Sequence, residues 1–302
     1  MKQFLVIIIS ILSSALVKAQ GIPHFTNPSQ DTISKIELSS IPVVDQGNSY
    51  ITLPLDVGNI EPLWFEANVI PNFFIRKNST SRLMGVLTPQ IIIRMYQKES
   101  MPVQTPSYIP QISVYYTIKQ GLTYQSLNAF GRIAHHSNGQ DGDFYLSNGD
   151  INLLTGNFAT NFFELGLIKT NFNSRLREHQ FFKTSIEIHP KRWMADELVG
   201  QYSGLRWHNA FTFFKVRSGT LSKRASISLK GEASWMFGKL DNWENVSSER
   251  FNYKLTFFYH PPFLNDIGLF TQFYHGMDYY NIYFSHQLNI LRFGIMTEIL
   301  TF

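Results

Sequence analysis

Along most of the chain, apolar and polar residues alternate one for one. The clearest run is "RASISLKGEASW" (224–235), where Ala225, Ile227, Leu229, Gly231, Ala233 and Trp235 interleave with Arg224, Ser226, Ser228, Lys230, Glu232 and Ser234. Period two marks a β-strand with one apolar and one polar face. Such a strand, at about 3.3 Å per residue, reaches roughly 40 Å and can cross a bilayer when tilted. "KTSIEI" and "NYKLTFFY" repeat the pattern, and turns rich in Asn, Gly, Ser, Asp and Pro separate the segments. The pattern predicts twelve strands, at 62–75, 83–96, 107–118, 126–137, 157–170, 179–190, 204–217, 223–237, 250–261, 266–275, 279–287 and 290–302. An even count is what single-chain bacterial barrels have, and the chain ends on an aromatic residue, Phe302.

The N-terminus reads differently. "MKQFLVIIISILSSALVKAQ" joins Lys2 to an apolar run from Phe4 to Val17, with small residues before a cut after Ala19, so residues 1–19 are expected to be a secretory signal peptide. Residues 20–61 carry Pro23, Pro28, Pro42 and Pro54 without long periodicity and read as an N-terminal extension to a barrel domain at 62–302. No later segment approaches 18 uninterrupted apolar residues, so the membrane-spanning solution left is a closed barrel. The expected fold class is all-β, a transmembrane antiparallel β-barrel of twelve strands.

Composition narrows the function classes. The 26 Phe, 14 Tyr and 5 Trp make the chain 15% aromatic, while only 16% of it is charged, against about 25% in typical soluble domains. With Lys2 and Lys18 removed, 24 basic residues face 22 acidic ones, which gives no basic footprint for nucleic acid. The absence of cysteine excludes disulfides and an N-terminal lipid anchor on Cys.

Period two also orients the stretch "AHHSNGQDG" (134–142). In "SLNAFGRIAHHS", Leu127, Ala129, Gly131, Ile133, His135 and Ser137 share the apolar, lipid-facing side, while Asn128, Arg132 and His136 face the lumen, where His136 is structural. Two polar residues on a lipid face ask for a role. In "NFATNFFELGLI" one amide, Asn161, likewise interrupts an apolar face. A Ser, a His and an Asn could therefore converge on the outer wall: Asn161 orienting the imidazole, His135 taking the proton, Ser137 attacking an ester carbonyl. A short His-x-Ser pair is also compatible with an ordinary strand end.

"HHSNG" (135–139) resembles the His-x-Ser-Asn-Gly signature of outer membrane phospholipase A, a twelve-stranded barrel that hydrolyses phospholipid acyl esters. "YQKESMPVQTPSYIPQI" (96–112) resembles the same family's Gln-Lys strand end and its return through Tyr-x-Pro-Gln. The resemblance implies Ser137 as nucleophile, His135 as base and the Gly139 N–H in an oxyanion hole. It also implies calcium near Gln140 and Asp141, activation as a homodimer with Gln97 at the contact, and a place in the outer membrane. The chain departs from the family in two ways. Asn161 lies 24 residues beyond Ser137, leaving Asn152 and Asn157 as alternatives, and Gln140-Asp141 stands where the family has Arg-Ser. The competing class is a non-catalytic barrel, a small porin or a structural protein. A soluble lipase is disfavoured by the lack of a Gly-x-Ser-x-Gly elbow.

Overall fold

The alternating segments pair with their sequence neighbours into one antiparallel sheet that closes on itself. The computed structural model describes residues 37–297 apart from 79, 122–124, 174, 217–224, 239, 241–248 and 265. The expected signal peptide, residues 20–36, Arg224 and Phe302 lie outside the described residues. The strands are β1 Tyr50–Thr52, β2 Val57–Gly58, β3 Leu63–Val69, β4 Phe73–Ile75, β5 Leu83–Tyr96, β6 Ser107–Gln120, β7 Ser126–Ser137 and β8 Ala159–Asn173. They continue with β9 Glu178–Ile188, β10 Leu205–Val216, β11 Ala225–Phe237, β12 Phe251–Tyr259, β13 Ile267–Met277 and β14 Gln287–Thr297. β1 and β2 follow one another along β14, and β3 and β4 along β5, so the wall has twelve positions. Tyr50 closes it by pairing with Met296 on one side and Asn68 on the other.

The count of twelve is as expected, but one of its members differs. Residues 279–287 form no strand: Asn281–Tyr283 is a 3-10 turn in which Tyr280, Asn281 and Ile282 are buried. Its apolar residues pack inward from a connection instead of alternating along a sheet. The missing wall position is filled by β1 and β2, inside the stretch read as an extension.

The two faces sort as the pattern requires. On β6, Ile112, Val114, Tyr116 and Ile118 are exposed outward while Gln111, Ser113, Tyr115 and Thr117 are buried inward. Connections 97–106, 138–158, 189–204 and 278–286 all leave from one rim, and the described tryptophans lie at that same rim: Trp64, Trp207 and Trp235 near strand ends, and Trp193 in a connection. An apolar outer band bordered by an aromatic girdle is the exterior of a membrane-spanning barrel.

Much of the lumen is occupied. Helix α1, Ser40–Gln46, places Pro42 in its first turn, where no intrahelical N–H bond is lost, and ends before Gly47 at φ +84°. Leu38, Ile41 and Val44 pack against inward-facing Met84, Val86, Tyr115, Phe130, Ile168, Phe181 and Phe214. Asp45 meets Lys183 Nζ at 2.6 Å and Arg132 Nη2 at 2.5 Å and accepts from Tyr115 OH at 2.6 Å. Glu164 completes the group, 2.6 Å from Arg132 and 2.8 Å from Lys183. A second buried network joins Arg94 to Glu66 at 2.7 Å and, through both terminal nitrogens, to Asp278 at 2.7 and 2.9 Å. At the rim of long connections, Phe144, Phe158, Leu198, Tyr202, Ile282 and Phe284 form an apolar cap. A cavity of about 420 Å³ is left inside, lined in part by Gln46, Lys230, Glu232 and Arg206.

Candidate active site

β7 and β8 pair in register, so that His135 lies opposite Asn161 and Ser137 opposite Ala159. Side chains at paired positions share a face, which puts His135 and Asn161 together on the outer wall next to Ile133 and Phe163. His135 Nδ1 is 2.9 Å from Asn161 Oδ1. Asn161 Nδ2 in turn donates to the Trp193 carbonyl oxygen at 2.8 Å. The amide oxygen only accepts, so Nδ1 carries the proton and Nε2 is left as the basic nitrogen.

Ser137 is half-buried on the same face, two residues and therefore roughly 6.6 Å along the strand from His135. Its hydroxyl makes no side-chain hydrogen bond to the described residues, so the structure links His135 to Asn161 but not yet to Ser137. On the other side Ser137 pairs with Tyr108 of β6. The chain turns immediately afterwards. Asn138 is buried, donates to the Gly156 carbonyl at 2.8 Å and accepts from the Phe158 N–H at 3.0 Å, tying together both ends of the 138–158 connection. Gly139 has φ +68°, and a Cβ there would stand 3.3 Å from the Tyr108 ring. Its N–H has no hydrogen-bond partner among the described residues.

Neither alternative asparagine is bonded to His135. Asn152 donates to the Asp143 carbonyl at 3.0 Å and to Thr155 Oγ1 at 2.9 Å. Asn157 gives its N–H to Gly142 O, and no hydrogen bond joins its side chain to His135. His136 faces the lumen, buried, its ring 4.9 Å from that of Phe158. Gln97 is exposed just past β5, with Nε2 donating to the Leu63 carbonyl at 3.0 Å. Gln140 and Asp141 are exposed, and among the described residues no group of three or more His, Asp or Glu side chains is placed to hold a metal ion. Calcium takes six to eight oxygens, from carboxylates, carbonyls and water, and Gln140 and Asp141 would supply two of them.

Two contributors were missed from sequence. Asn138 carried a signal, the Asn-Gly turn dipeptide. Trp193 carried none, because it reaches Asn161 across 32 residues from another connection.

No protein-family model matches the chain, and no curated protein matches it. Solved structures do. Outer membrane phospholipase A from Escherichia coli aligns with TM-score 0.58 and 11% identity over 83% of this chain and 92% of that one. A Salmonella typhi outer membrane phospholipase dimer with bound calcium aligns with TM-score 0.57 and 11% identity over 90% and 94%. An E. coli active-site mutant, with an asparagine changed to alanine, aligns with TM-score 0.56 and 12% identity over 90% and 95%. The likeness shows the fold, a barrel of the outer membrane phospholipase A type.

Proposed function

We propose that the chain is an outer-membrane phospholipase that hydrolyses acyl esters of glycerophospholipids. The observation that carries the reading is the 2.9 Å contact of His135 Nδ1 with Asn161 Oδ1, on the lipid-facing wall two residues before Ser137. A second outward-facing pair, His275 Nδ1 with Asn289 Oδ1, lies elsewhere on the wall with Met277 two residues on; what distinguishes the His135–Asn161 pair is the serine at that position. In this reading Ser137 Oγ attacks the ester carbonyl carbon while His135 Nε2 takes its proton and passes it to the departing lysolipid oxygen. Water, activated by the same nitrogen, then releases the fatty acid. In this reading the Gly139 N–H, in the turn after Ser137, meets the developing oxyanion. Exposed Ile133, Ile112 and Leu165 run down the wall below the site, a surface for the acyl chains.

Calcium and dimerisation, seen in the Salmonella structure, belong to this proposal as properties of two copies together. Gln97 keeps its amide oxygen for a second copy. No catalytic step is routed through the metal, since Gln140 and Asp141 alone do not hold one. The porin reading has less support: α1, the ion-pair networks and the apolar cap occupy much of the lumen.

The test is fatty-acid release from mixed-micelle phospholipid by the refolded barrel, with calcium or with chelator, beside Ser137→Ala. Release that Ser137→Ala abolishes and the chelator suppresses is the expected result. Equal release by both proteins, or none from a folded barrel, refutes it.

A further inference from the structure

We infer that the segment 191–195, through the Trp193 carbonyl, is the element that sets the orientation of Asn161 and with it the tautomer of His135. This rests on the active-site reading above but is carried by separate contacts. An asparagine amide presents an acceptor and a donor of nearly the same shape, and in isolation either end can face an imidazole. Here the donor end is claimed. Asn161 Nδ2 gives its hydrogen bond to Trp193 O at 2.8 Å, and a carbonyl oxygen can only accept, so the amide cannot flip without leaving two acceptors in contact. Oδ1 is thereby held toward His135 Nδ1. The flipped amide would face Nδ1 with a donor and favour the tautomer that makes Nε2 a donor too, useless as a base toward Ser137.

The segment is held in place for this. β9 pairs with β8 only as far as Ile188 opposite Phe163, which leaves the rim end of β8 without that neighbour. Residues 191–195 take over the edge: Met194 bridges Thr160, and the Ala195 N–H donates to Ala159 O at 2.9 Å. Outside the wall, the Trp193 ring lies 4.6 Å from that of Phe163, two residues beyond Asn161 on the same face. Backbone pairing and ring contact together fix one carbonyl oxygen against one amide. Trp193 is therefore a positioning residue, not a catalytic one.

Two variants separate positioning from folding. Trp193→Ala removes the ring contact. Ala195→Pro removes only the N–H that ties the segment to Ala159, at a residue whose φ of −57° suits proline and which follows an extended Met194. Both are expected to lower kcat by roughly 10–100-fold with KM unchanged, the range carried by partners that orient an imidazole. Trp193→Phe is expected to restore most of the rate. In an Asn161→Ala background Trp193→Ala should cost nothing further, since the amide it orients is gone.

The readout independent of turnover is the ¹⁵N spectrum of the His135 ring, assigned by its loss in His135→Gln. It should report a single Nδ1–H tautomer in the parent protein and a mixture in both variants. A folded Trp193→Ala barrel with the parent tautomer and parent kcat overturns the inference, as does a rise in KM alone or a full additional loss on Asn161→Ala. If Ser137→Ala leaves hydrolysis intact, the phospholipase reading fails, while the tautomer spectrum still decides the role of Trp193.

Discussion

Replacing Asp45 by alanine tests whether α1 is bound into the barrel by charge as well as by apolar contact. The Asp45 side chain is fully buried and its two oxygens serve Lys183, Arg132 and the Tyr115 hydroxyl at 2.6, 2.5 and 2.6 Å. With Glu164 the cluster holds two anions and two cations. Asp45→Ala leaves two buried cations facing one carboxylate, and breaking a buried pair in this way costs about 3–5 kcal/mol. The lower end applies, because the Lys183 side chain is 16% exposed and can turn toward the cavity. The expected loss is therefore about 3 kcal/mol in urea unfolding of the refolded barrel followed by tryptophan fluorescence. Lys183→Met on top of Asp45→Ala restores neutrality and should regain most of the loss. Burial pushes the Asp45 carboxyl up, but Lys183 and Arg132 more than reverse it and hold it well below the usual carboxylate range. A depressed carboxylate contributes stability that is present above its unfolded value near 3.9 and is lost as pH falls through the folded value. The gap between parent and Asp45→Ala should thus persist at pH 4 and shrink only in stronger acid. Parent-like stability of Asp45→Ala within about 0.5 kcal/mol, or no recovery on adding Lys183→Met, would refute the argument.

Asn161→Ala should lower hydrolysis at least tenfold without destabilising the barrel, whereas Asn152→Ala should loosen the 138–158 connection; kinetics and limited proteolysis of the two variants distinguish the roles. Gly139→Ala forces a side chain into left-handed backbone against Tyr108, at about 1–2 kcal/mol, and should cost up to about tenfold in kcat, measured on the same micelles. Arg94→Lys keeps the charge but loses the paired bonds to Asp278, and should lower unfolding stability by about 3 kcal/mol in the urea assay.

Where side chains alternate, the sequence was readable almost to the residue. β5 and β7 have the boundaries the pattern predicts, and the lipid-facing parity of His135, Ser137 and Asn161 follows from counting. Residues 279–287 misled because Tyr280 and Ile282 alternate with polar neighbours while being buried in a connection, and periodicity does not distinguish a sheet partner from a cap over a lumen. α1 is only seven residues long and contains Pro42, too short for a helical period to show. Its anchor was hidden for another reason: Arg132 lies 87 residues from Asp45, and nothing local to either predicts the pair. The site was legible as far as its residue types and face, and illegible where a backbone carbonyl completes it.

The short distance between α1 and β1 ties the plug of this barrel to its seam. Only Gly47, Asn48 and Ser49 separate the helix from the strand that meets β14, and the apolar cap lies at the opposite rim. A helix on so short a tether stays beside the seam between first and last strands, so the packing of α1 and the closure of the wall support each other. Without α1 seated, the wall is held there only by the five residues of β1 and β2 that pair with β14.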